Sequence, residues 1–139
     1  MRTNIAPTKA EIMLDQVTTG NMQIKILQAV RDNLSFPGVE LSNETKVRIQ
    51  SFQNNLQRRI DQLAAQRDQV SGLVEQIPDG EAQLVLQLRY GLLGSATKKM
   101  PWLDIPPLMN YEMETIYRRH RKGISYLNEL LEKGGEKQC

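Results

Sequence analysis

Residues Trp102–Leu127, WLDIPPLMNYEMETIYRRHRKGISYL, decide how this chain is read. They predict a short helix, a tight turn at Asn110 and a second helix of about twenty residues. Along that second helix Met113, Ile116, His120, Ile124, Leu127 and Leu131 recur at steps of three and four, which defines one buried face. Arg118, Arg119, Arg121 and Lys122 crowd the same turns, with Tyr117 and His120 among them. A helix buried on one side and cationic on another, entered through a short turn from a smaller helix, has the form of a helix-turn-helix. By composition alone, a solvated basic face on a helical hairpin accounts for the same charges equally well.

The residues before this stretch predict helices almost throughout. Thr8-Lys9-Ala10-Glu11 has capping-box spacing and opens a short helix expected to fade at Thr18-Thr19-Gly20. Ile24, Leu27, Val30 and Leu34 form a second pattern, closed by the Phe36-Pro37-Gly38 turn, where proline fixes φ and glycine permits reversal. Ser42 or Asn43 then caps the longest uninterrupted segment, which runs to about Gln76.

That segment carries a heptad. Ile49, Leu56, Leu63, Val70 and Ile77 stand seven residues apart, and Phe52 and Leu73 hold the companion position. Arg59 and Gln66 occupy the companion position in the middle, beside Ile60. One strong position with a polar centre predicts a helix packed lengthwise against another. The partner is either the 22–35 helix folded back as a hairpin or the same segment of a second chain. The returning helix is much the shorter, so a hairpin leaves part of a helix of about 50 Å uncovered, at 1.5 Å per residue. This consideration favours a homodimer.

Beyond Ile77, Pro78-Asp79-Gly80-Glu81 stops the long helix and starts the next, with Asp79 as N-cap and Glu81 in the first turn. Leu84, Val85 and Leu88 form its stripe, and Gly91 suits its C-terminal cap. GLLGSATKKMP follows as a loop. Its Lys98 and Lys99 stand where a helix-turn-helix can touch flanking phosphates, or else serve solubility.

The order Trp102, Asp104, Ile105, Tyr111, Thr115, Ile116, Tyr117, Arg118, His120, Arg121, Ile124, Leu127 resembles the terminal domain of small bacteriophage proteins related to sigma-70 region 4. Some of those proteins resemble activators of phage late genes. Their pattern runs tryptophan, acidic residue, isoleucine, small residue, a turn ending in tyrosine-serine, then T-V-Y-R-x-H-R-x-x-x-L. IPDGEAQLVLQLRY resembles the helix that precedes the motif in that family, so the likeness covers Gln76 to Leu131. The loop between Tyr90 and Trp102 is longer than usual there.

The chain also departs from the pattern. Pro106, followed by Pro107, replaces the small residue. Proline inside a helix removes a donor and clashes with the preceding turn, at about 3 kcal/mol. Asp104 as N-cap, with Ile105 and both prolines in the first turn, relieves that strain and leaves a helix of little more than one turn. Glu112 replaces the serine cap, and Arg119 replaces an apolar residue, so that it must snorkel or reach a phosphate.

The resemblance implies a DNA-binding transcription regulator of phage or prophage origin, reading the major groove with helix 112–132 and able to contact host RNA polymerase. It places Met113, Glu114, Tyr117 and Arg118 where base edges or adjacent phosphates lie. A glutamate such as Glu114 can accept a hydrogen bond from the cytosine amino group. Arg121 and Lys122, further along, fall to phosphates. A helical adaptor for a host protein and a small packaging subunit remain the competing readings.

The expected architecture is therefore all-α. It comprises an N-terminal hairpin or coiled-coil module over 1–77, a helix-turn-helix domain over 78–133 and a flexible tail over 134–139. Net charge is +2, so affinity for DNA must come from local clusters rather than a general basic coat. Cys139, the single cysteine, cannot form an internal disulfide, which fits a reducing cytoplasm. Neither a membrane span nor a signal-peptide core is visible. One histidine, no zinc-ligand spacing and no glycine-rich phosphate loop argue against an enzyme, a cofactor or a metal site.

Overall fold

The computed structural model describes residues 6–137, and Cys139 lies outside them. The chain is all-helical: α1 (Lys9–Asn33), α2 (Asn43–Glu75), α3 (Gly80–Arg89), a 3-10 turn (Trp102–Asp104), α4 (Ile105–Met109) and α5 (Met113–Lys137). The tail expected from residue 134 thus begins within α5, which continues to Lys137. No described helix is long and apolar enough to cross a membrane.

The capping box forms as its spacing predicts: the Glu11 amide donates to Thr8 Oγ1 at 3.4 Å, and the Thr8 amide donates to Glu11 Oε1 at 3.2 Å. The expected break at Thr18-Thr19-Gly20 does not occur, because α1 runs through it unbroken. Tertiary packing overrides local propensity there. Thr18 and Asn21 are buried, and the Asn21 side chain donates to the Ala96 carbonyl at 2.8 Å.

A continuous α1 changes the argument about α2. At 25 residues it is much longer than the returning helix expected from the pattern at 22–35. It lies antiparallel along α2: Arg31 donates to Gln57 at 2.6 Å, Arg67 reaches Asn21 at 3.4 Å, and Leu14 and Val17 share a core with Val70 and Val74. The uncovered length that favoured a second chain is correspondingly smaller. Of the heptad residues, Val70 and Ile77 are buried, Ile49, Leu56, Leu63 and Leu73 are half-buried, and Phe52 is 51% exposed.

One core joins residues from both sides of Ile77. Ala10, Leu14 and Val17 of α1 meet Val70 and Val74 of α2, Ala82 and Leu86 of α3, and Ile124 and Leu127 of α5. Full burial of a leucine or isoleucine contributes about 1.5–3 kcal/mol, and Leu14, Leu86, Ile116 and Leu127 are all fully buried. A smaller cluster of Val85, Ile105 and Ile116, flanked by Leu88, Met100, Trp102 and Met109, seats α4 against α3 and α5.

Candidate nucleic-acid interface

The candidate surface is α5 and the turn that leads into it. Both prolines fall in the first turn of α4, where missing amide donors cost nothing. Asp104 stands at the cap position but, contrary to expectation, its side chain accepts no backbone N–H. Its own backbone is helical, because the 3-10 turn runs straight into α4. Asn110 ends α4 in the left-handed region, at φ 59° and ψ 42°. Asparagine tolerates that region better than most side chains. The Tyr111 amide donates back to the Pro106 carbonyl at 3.2 Å, which closes the turn before Met113 opens α5.

The buried face of α5 holds the helix in place. Ile116, Gly123, Ile124 and Leu127 are buried, as the 3.6-residue period predicts for the apolar positions. Gly123 carries no signal in the sequence. A Cβ there would stand 3.0 Å from Leu86 Cγ and Cδ1 and 3.3 Å from the Ala82 carbonyl oxygen, so its absence sets the closeness of α5 to α3. Asn128 is a second residue that the pattern missed: its Oδ1 accepts from the Ala10 amide at 3.1 Å, tying α5 to the start of α1.

His120 sits at the margin of this face. Its Nε2 lies 2.8 Å from Tyr90 Oη, and the Trp102 ring meets it edge-on with centroids 4.8 Å apart. Burial, with Arg89 and Arg121 adding to it and the Glu11 and Asp15 carboxylates opposing, lowers its pKa to about 4. Its ring is therefore neutral at neutral pH. Tyr90 is raised to about 12, mainly by burial, and remains protonated. Arg89 lies over the Trp102 ring at 4.4 Å and donates to the Met100 carbonyl at 2.6 Å, fixing the end of the 91–101 loop.

The cations of α5 divide into two groups. Arg119 lies 3.1 Å and Lys122 2.9 Å from Asp79 Oδ2, and Arg119 also lies 3.6 Å from Glu81 Oε1. Asp79 is the N-cap of α3, where its other oxygen accepts from the Glu81 and Ala82 amides at 3.0 Å each. The Ala82 amide, and after it Lys122, holds the Asp79 carboxyl down at about 2. This anchor fixes one edge of α5 to the start of α3. Arg119, expected to snorkel or reach a phosphate, thus meets a carboxylate of its own chain.

Arg118 and Arg121 are exposed and make no ion pair among the described residues. Glu114 is exposed on their side of the helix, and Met113 is half-buried at its start. Tyr117 is 40% exposed, with its ring edge-on to Trp102 at 5.0 Å. In the loop, Lys99 pairs with Asp15 at 2.9 Å, whereas Lys98 is exposed without an ion pair among the described residues. Gly91, at φ 69°, caps α3 as expected: the Leu92 amide donates back to the Gln87 carbonyl at 3.0 Å.

The coil residues Ile49, Phe52, Leu56 and Leu63 lie on α2 and take no part in this surface. No group of metal-ligating side chains occurs among the described residues. No protein-family model, curated protein or solved structure matches the chain.

Proposed function

We propose that this chain binds double-stranded DNA as a transcription regulator of the bacteriophage sigma region-4-like type, with the exposed edge of α5 entering the major groove. One observation carries the reading: Arg118 and Arg121 stand exposed, with no ion pair among the described residues, on a helix whose neighbouring Arg119 and Lys122 are fastened to Asp79. A cation already matched by a carboxylate releases little on meeting a phosphate, while an unmatched one displaces a condensed counterion. A five-residue α4, a turn through Asn110 and a well-anchored α5 supply the support that a groove-reading helix needs. Arg118, Arg121 and the exposed Lys98 fall to phosphates, while Glu114 and Tyr117 face base edges. Lys99 and Lys122 serve mainly the protein's own fold.

Selection from a randomised duplex library tests the assignment. The wild-type protein is expected to enrich one motif, and Glu114→Ala to relax it at one base pair while retaining non-specific binding. Failure of the wild type to enrich any sequence overturns sequence reading by α5.

A second reading, contact with host RNA polymerase or another protein, has its own support. Leu103 is 80% exposed and Leu108 61% exposed, with Pro107 exposed between them, on the outward side of the 3-10 turn and α4. Leu103→Ser with Leu108→Ser is expected to abolish capture of the polymerase by the tagged protein while leaving DNA binding intact. Unchanged capture by the double variant overturns that reading.

A further inference from the structure

A cavity of about 520 Å³ lies on α5 between the start of α1 and the 3-10 turn, lined by Glu11, Trp102, Tyr117, His120, Arg121 and Ile124. We infer that it binds a nucleotide whose base carries an exocyclic amine, adenine or cytosine, with the base among the three rings and the phosphate at Arg121. The nucleotide is either free or turned out of a duplex. The second source rests on the DNA reading above, and the cavity itself does not.

The rings set the shape that enters. Trp102 and Tyr117 meet at 61° with centroids 5.0 Å apart, and His120 stands at 87° to Trp102 with centroids 4.8 Å apart. Rings set at such angles make a corner rather than a flat wall. A planar ligand in a corner stacks on one ring and meets the next edge-on, the two arrangements that aromatic pairs favour. Trp102 and His120 are held before any ligand arrives: Arg89 covers one indole face at 4.4 Å, and His120 Nε2 lies 2.8 Å from Tyr90 Oη. Stacking serves every base, so the rings supply affinity without choosing among bases.

The charges make the choice. Glu11 and Arg121 line the same cavity yet make no ion pair among the described residues. Glu11 Oε1 accepts from the Thr8 amide at 3.2 Å and from Thr8 Oγ1 at 3.1 Å, whereas its Oε2 makes no hydrogen bond among the described residues. A carboxylate oxygen only accepts, so it suits the amine of adenine or cytosine and rejects the carbonyl that thymine carries in the same place. Arg121 supplies charged donors for a phosphate. A bare phosphate would also meet the Glu11 charge, and a bare amine would meet Arg121; a nucleotide keeps the two groups apart by a sugar and a base. The volume falls within the range of about 300–1,000 Å³ usual for small-ligand sites. Tyr117 and Arg121 also belong to the edge assigned above to DNA, so a base turned out of a bound duplex has a route into the cavity.

Trp102 is the only tryptophan of the chain, so its fluorescence reads occupancy of the cavity. Titration of the full chain with dAMP and dCMP is expected to quench it saturably, and dTMP to bind about tenfold more weakly. No saturable quenching by dAMP or dCMP, or equal affinity for dTMP, overturns the inference. Glu11→Gln tests the selecting group, because glutamine keeps the capping box but turns an amide donor towards the ligand. The variant is expected to lose the preference over dTMP with its melting temperature kept; an unchanged preference overturns the role of Glu11. Deoxyadenosine, which lacks the phosphate, is expected to bind about tenfold more weakly than dAMP, and equal affinity overturns the role of Arg121. A duplex with adenine opposite an abasic site separates the two sources. Tighter binding than to a fully paired duplex, lost in Glu11→Gln, identifies the turned-out base, and dAMP binding with no such gain identifies the free nucleotide. Quenching by dAMP with no duplex binding keeps the cavity and removes the DNA reading, whereas duplex binding with no quenching by dAMP or dCMP does the reverse.

Discussion

The two edges of α5 carry the same kind of charge and do different things with it. Arg118 and Arg121 are exposed with no ion pair among the described residues, while Arg119 and Lys122, each one residue further along, are held by Asp79. On a helix one residue is a turn of about 100°, enough to move a side chain from solvent to a neighbouring element. A cationic run is therefore not a unit of function. The carboxylate on α3 divides it into an edge that fastens α5 and an edge free to meet a ligand. The buried face between them adds His120, which stays neutral because charging it there is costly.

The largest expected effect sharpens this comparison on the buried side. His120 titrates near 4 in the fold against 6.5 when unperturbed, so its contribution is fully present above pH 6.5 and is lost as pH falls from 6.5 through 4. Urea unfolding across that window is expected to show stability falling by about 2–3 kcal/mol from this group, after allowance for its partial exposure. His120→Gln, which keeps a hydrogen-bonding partner for Tyr90 but does not titrate, is expected to flatten that decline. An equally steep decline in the variant would place the proton elsewhere.

Next in size is the anchored edge itself. Asp79→Ala removes an N-cap and the partner of two cations, and is expected to cost about 2 kcal/mol. Arg118→Ala is expected to stay within about 0.5 kcal/mol of wild type. Equal costs at the two positions would erase the distinction between the edges. Because the Asp79 carboxyl is depressed to about 2 from 3.8, its contribution is present above pH 3.8 and is lost as pH falls towards 2, a window below that of His120.

Gly123→Ala is expected to destabilise by about 1 kcal/mol, against the usual gain for alanine in a helix, because the added methyl meets Leu86 and the Ala82 carbonyl. A more stable variant would show that α3 and α5 yield at this contact without cost.

Much of this architecture is legible in the sequence. The Thr8 capping box, the Asp79 cap, the Gly91 cap and the buried stripe of α5 are local signals, and each forms. The signals that misled are also local. Thr18-Thr19-Gly20 reads as a helix end, yet Thr18 and Asn21 are buried against neighbouring elements and the helix continues. Asp104 reads as a capping side chain, yet the 3-10 turn before it leaves no free geometry for the cap.

The division of charge on α5 was beyond the sequence for a different reason. Asp79 is separated from Arg119 by 40 residues, and no spacing rule joins them. Lys99 and Asp15, 84 residues apart, are hidden in the same way. Gly123 leaves no mark because a glycine in a helix can equally be a tolerated defect.

The most direct test is the salt dependence of duplex DNA affinity, measured for the wild type and for Arg118→Ala, Arg121→Ala and Lys122→Ala. Each phosphate contact contributes about 0.9 to the log–log slope. The two arginine variants are each expected to lower the slope by about one, and Lys122→Ala by less than about half of that, since its charge is already met by Asp79. Salt-insensitive wild-type binding, or a loss of slope in Lys122→Ala equal to that in Arg121→Ala, would contradict the division of α5 into an anchoring edge and a DNA-facing edge.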